Sequence, residues 1–194
     1  FAIPFLFETD ARALDASRRG APLRTAIDAA ILKTGVRVLL WQVGGGSVLL
    51  SLDAPLRRPS DLAGKVVRVT GEAPSRFAQS LGATPVPMSE DAGADAVRRG
   101  TAQAALAFAP VDAEGMGAVT ATLGARRVDA VVINETAWRS LSPHQRAAME
   151  AAAQRAEAAA REMTVAEKPG HRCGEIRQAV CLTVAERALW RAAA

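Results

Sequence analysis

The sequence predicts an α/β fold with mainly parallel sheets. Three observations carry that expectation. Short runs rich in Val, Leu and Ala alternate with helical segments. Gly, Pro, Ser or Thr punctuates nearly every junction between them. Of the 194 residues, 49% are hydrophobic, enough to build a core in one domain or two small lobes. No apolar run reaches the roughly 18 residues that a membrane-spanning helix needs.

Residues 9–34 have helical spacing, with Leu14, Leu23, Ile27, Ile31 and Leu32 at apolar positions, and Gly20 and Pro22 split the segment. Gly35 closes it. VRVLLWQV (36–43) reads as a buried strand, the glycines 44–46 as a break, and SVLLSL (47–52) as a second strand. LRRPSDLAGK (56–65) is a loop with a single turn at Ser60 to Leu62. The strand VVRV (66–69), a helix from Pro74 to Leu81, the strand TPVPM (84–88) and a helix over 89–99 follow. AQAALAF (102–108) is a strand of small residues, 111–118 a loop, and 118–123 and 126–133 strands. Asn134 or Glu135 opens a helical turn. Ser142 then caps a long alanine-rich helix with Pro143 at its first position, where a missing N–H costs nothing. A short strand, QAVCLT, and a terminal helix, VAERALWRAAA, complete the chain.

The central stretch, residues 62–88, carries the strongest functional signal. Arg68 is the lone charge in a strand of valines that runs into a Gly/Pro-marked turn. A guanidinium at the carboxyl end of a buried strand suits a small organic anion, because its fixed fork gives two parallel charge-assisted hydrogen bonds. The competing reading is a structural arginine paired with Glu72 or Glu90.

Composition removes several function classes. Aromatic residues make up 4% and tyrosine is absent, so a sugar site built on stacked rings is not expected. Net charge is +4, but the arginines are scattered singly or in pairs, as at Arg57/Arg58 and Arg126/Arg127. Nucleic-acid binding is therefore not expected. Cys173 and Cys181 sit in no CxxC motif, and His171 beside Cys173 gives too few ligands for a structural metal. A disulfide and two buried thiols both remain open. Neither His144 nor His171 has a nucleophile with an orienting acid nearby in sequence, and no GxSxG elbow occurs. The glycines 44–46 lack the Lys-Ser/Thr ending of a phosphate loop and precede a strand, which favours an interlobe crossover. Trp138 and Trp190 read as packing residues, and Trp41, beside the glycines, as a candidate ligand contact.

Several motifs, in order, resemble the DctP-type substrate-binding proteins of TRAP transporters. FLF at 5–7 is similar to that family's "PFLF". Pro55, Asp61, Leu62, Gly64, Lys65 and Arg68 match its "P…tpeDLkGlKiRvp" run, LGATPVPM (81–88) its "LGAnPtpMp", and WRSLSPHQRAAMEAAAQRA (138–156) the opening of its long helix. Since such chains begin with strands ahead of "PFLF", the resemblance implies a preceding segment absent from this sequence.

The resemblance implies a two-lobe, type II-like periplasmic-binding-protein fold with crossing strands, a long interlobe helix and an incomplete first lobe. Lobe I would take 1–46 and 133–172, and lobe II 47–132 and 173–194. It also implies capture of a small organic acid in the periplasm, delivery to membrane permease subunits, lobe closure, and no catalytic residue or cofactor. Arg68 falls on the carboxylate-gripping arginine, with backbone donors from the loop at 70–75, including Glu72 and Ser75. The other expected contacts match poorly. The second arginine falls at Ser47, an asparagine-bearing run falls on 103–108 and Ala107, and an aromatic falls at Glu90. Alternatives are a small α/β enzyme on the same scaffold, an effector-sensing domain, or a repurposed member without ligand.

Overall fold

The computed structural model describes residues 6–7, 10–108, 114–121, 126–166 and 179–194. The chain is α/β, and it divides into two compact units. The first holds Leu6, Phe7 and the described residues within 45–127 and 168–194; the second holds those within 9–44 and 128–167. The sequence expectation placed Leu6 and Phe7 with the second group instead.

In the first unit the strands are the end of β1 (Val36–Ser51), β2 (Val66–Val69), β3 (Thr84–Pro87), β4 (Ala104–Phe108), β5 (Ala118–Ala121) and β7 (Ala179–Cys181). They lie in the order β3-β2-β4-β1-β5-β7. β2 runs parallel to β3 and β4, and β5 parallel to β7, but β1 is antiparallel to both β4 and β5. The sheet is therefore mixed rather than mainly parallel.

Strand alternation divides its side chains between two cores. On one face Val48, Leu50, Ala105, Ala107 and Val119 pack with Ala96 and Val97 of helix α4 (Glu90–Arg98). On the other, Leu49, Val67, Val69 and Ala104 pack with Ala78 of α3 (Glu72–Ser80) and with Trp190 of α7 (Val184–Ala192). The local signals behind these helices are plain. Ser89 caps α4 by accepting from Ala92 N, and Thr183 and Glu186 form a reciprocal capping box on α7. A single 3₁₀ turn, Pro59–Leu62, stands where the sequence places one. Cys181 is disulfide-bonded; Cys173, the chain's other cysteine, lies outside the described residues, as does His171.

The second unit contains α1 (Asp10–Ala16), α2 (Pro22–Leu32), the first part of β1, most of β6 (Arg126–Asn134), α5 (Glu135–Ser140) and α6 (Pro143–Ala166). β6 pairs with β1. Asn134 caps α5 through bonds from Thr136 N and Ala137 N, and Ser142 and Gln145 cap α6 reciprocally. A buried ion pair lies inside this unit. Arg24 of α2 donates through Nη1 and Nη2 to both carboxylate oxygens of Glu157 of α6, at 2.5 and 3.2 Å. Gly44, Gly45 and Gly46 do not interrupt β1, which is one continuous strand of 16 residues. A main-chain ladder needs no side chain, so the glycines cost the strand entropy without breaking it.

Candidate functional site

Arg68 is the third residue of β2, in register with Val86 of β3 and Ala105 of β4. Its neighbours Val67 and Val69 belong to the core under α3 and α7, so alternation sends Arg68 to the α4 face. The residue is only 1% exposed. Nε and Nη2 both donate to the main-chain oxygen of Met88, at 3.1 and 2.8 Å, and Nη1 donates to that of Leu106 at 2.8 Å. A guanidinium has five N–H groups. Three are used, and among the described residues no acceptor meets the second N–H of Nη1 or of Nη2.

No carboxylate pairs with this cation among the described residues. Glu90 instead accepts from Arg127 at 3.2 Å, and Glu72 from Arg76 at 2.5 Å. The competing expectation, an arginine paired with Glu72 or Glu90, is not the arrangement found. Burial makes the guanidinium give up its proton more readily than an ordinary arginine, while the fields of Glu90 and Asp91 oppose that shift.

The remaining sequence candidates separate into groups. Ala107 is buried on the same sheet face as Arg68, opposite Val48, and offers only apolar surface. Glu90, at the start of α4, reaches Arg68 through its field rather than through a hydrogen bond. Ser47 is buried and pairs with Phe108, but alternation turns it to the Leu49 face, away from Arg68. Ser75 spends its hydroxyl on the Gly71 carbonyl at 2.8 Å. Glu72 is exposed, in the first turn of α3. Trp41 lies in the second unit, where its Nε1 donates to Asp28 and its ring lies under Arg24, 5.7 Å from the guanidinium carbon.

Two functional groups escape sequence reasoning altogether, the main-chain oxygens of Met88 and Leu106. Only the register of β2 against β3 and β4 reveals them. A surface cavity beside Ser51, Lys65 and Gln103 is a weaker candidate. Ser51 already donates to the Ala54 carbonyl, and Gln103 already accepts from Val66 N. Among the described residues no group of three His, Cys, Asp or Glu could hold a metal, and no helix is long and apolar enough to cross a membrane.

The whole chain, residues 1–194, matches the model of one family, DctP, the bacterial extracellular solute-binding proteins of family 7. The chain belongs to that family. No curated protein matches this solute-binding chain. Solved structures do. A TRAP periplasmic solute-binding protein from Shewanella oneidensis with bound succinate superposes with a TM-score of 0.85 at 22% identity, covering 100% of this chain and 66% of that one. One from Pseudomonas aeruginosa with bound L-malate gives 0.83 at 22% identity, covering 100% and 70%. One from Ralstonia eutropha with bound (S)-2-acetolactate gives 0.78 at 27% identity, covering 98% and 65%. The DctP-family chain thus spans about two thirds of the length of these similar structures.

Proposed function

We propose that this chain is the ligand-gripping part of a periplasmic solute-binding protein that captures a small organic acid for a TRAP-type permease. One observation carries the reading. Arg68 is a buried cation without a carboxylate partner among the described residues, and two of its N–H groups lack an acceptor there. A charge removed from water without a counter-ion is costly, and a ligand carboxylate accepting both N–H groups cancels that cost. Acids bound in similar structures, succinate and L-malate among them, support this ligand class. Ala107 adds apolar surface beside the cation.

The protein works by binding, not catalysis. Two lobes, 1–46 with 133–172 and 47–132 with 173–194 except that Leu6 and Phe7 go with the second, close on the acid because the closed state makes more contacts with it. The compact units divide between Gly44 and Gly45 and between Arg127 and Val128, which supports lobes of this composition. The disulfide at Cys181 supports an oxidising compartment such as the periplasm.

The test is thermal unfolding of the full-length protein with mono- and dicarboxylates. An acid at 100 times its Kd stabilises the folded form by about 2.7 kcal/mol. Arg68→Lys, which keeps the charge and loses the fork, is expected to abolish most of that shift. A panel in which no acid raises the melting temperature ends the proposal.

A further inference from the structure

We infer that Gly93 is a positioning residue for Arg68, and the inference rests on the acid-binding reading of that arginine. Gly93 lies inside α4 and is buried. A Cβ placed there would stand 2.6 Å from Arg68 Cδ, 2.7 Å from Nε and 3.1 Å from Cζ. No other atom comes as near, so the missing side chain is the seat in which the guanidinium stem lies. Glycine weakens a helix interior relative to alanine, and nothing in the capping of α4 calls for one here. The three atoms nearest that space all belong to Arg68. With the stem against the helix backbone, Nε and Nη2 reach the Met88 oxygen and Nη1 reaches that of Leu106. Those bonds fix the plane of the fork and leave one N–H on each terminal nitrogen for a ligand.

The atoms a new Cβ would meet are the far end of a flexible side chain, so Gly93→Ala displaces the guanidinium and leaves the main chain in place. Helix propensity alone predicts that this substitution raises stability; eviction of Arg68 predicts the reverse. The sign therefore separates a positioning role from a merely local one.

The experiment uses the full-length protein, with and without succinate. In ligand-free protein, Gly93→Ala should lower the melting temperature when residue 68 is arginine and raise it in an Arg68→Val background, where the side chain ends at Cγ, short of the Cδ and Nε positions, and vacates the seat. The ¹⁵Nε–¹H resonance of Arg68, assigned by its loss in Arg68→Lys, should shift in Gly93→Ala toward the values of exposed arginines. Succinate or another acid that binds the native protein should bind Gly93→Ala at least about tenfold more weakly, the worth of one charge-assisted hydrogen bond. An unmoved Arg68 resonance, or a higher melting temperature in both backgrounds, overturns the inference. If no acid binds the native protein but the resonance shifts and the two backgrounds differ in sign, Gly93 stands as the seat of Arg68 and only the acid-capture reading fails.

Discussion

The indole Nε1 of Trp41 donates to Oδ1 of Asp28 at 2.9 Å, while Oδ2 of the same carboxylate accepts from Nε of Arg24 at 3.3 Å. Asp28 thus ties the first part of β1 to α2, and Arg24 extends the tie to Glu157 of α6. Arg19 also meets Oε2 of Glu157, at 3.2 Å. Arg24 and Glu157 are almost wholly buried, and each is the other's most deeply buried charge partner.

Glu157→Gln is expected to destabilise the protein by about 3 kcal/mol, the low end for a broken buried pair, because the buried guanidinium of Arg24 then keeps only the part-exposed carboxylate of Asp28. Asp28→Asn should cost less, since its carboxylate is one-third exposed. Urea unfolding of both variants checks the order; equal costs would show that burial does not set the scale.

Glu135 predicts a pH dependence. Bonds from Arg37 and then Arg139 hold its carboxyl below the usual glutamate range. A carboxylate whose pKa falls on folding stabilises the protein above its unfolded value, and that contribution fades as pH drops through the folded value. Native protein should therefore exceed Glu135→Gln in stability at pH 7, and the gap should narrow below about pH 4.5. A gap independent of pH would mean that packing, not ionisation, accounts for it.

Glu90→Gln removes one of the two carboxylate fields acting on Arg68. An acid ligand meets less repulsion in the variant, so its affinity should rise by roughly two- to fivefold, as expected of a partly exposed charge. Titration calorimetry at low salt reads this directly, and weaker binding in the variant contradicts it.

Gly117 offers a contrast to Gly93. A Cβ at 117 would sit inside the main-chain carbonyl of Leu52. Backbone cannot rotate aside as a side chain can, so Gly117→Ala should cost more than about 2 kcal/mol and disturb the start of β5. A variant melting within a degree of the native protein would contradict that close approach.

Much of the order of elements was legible because β2, α3, β3 and α4 are each bounded by Gly, Pro or a capping Ser. The run from Val36 to Ser51 was not, since three glycines read as a break while one strand runs straight through them. The antiparallel pairing of β1 with β4 and β5 joins strands far apart in sequence, and no local signal gives its direction. Arg68 stood out as the one charge among valines. Its acceptors did not, because carbonyl oxygens carry no residue identity. From sequence Trp41 reads as a candidate ligand contact, whereas its N–H is already taken by Asp28, 13 residues earlier.

The acceptors of Arg68 are peptide oxygens, and that has an evolutionary consequence. Substitution at 88, on the cation's own sheet face, changes what surrounds it, and substitution at 106 acts on the opposite face, yet neither removes the oxygens that steady it. Mutation can therefore remodel the neighbourhood, and with it the choice of cargo, around an anchor that drift at those two positions leaves in place.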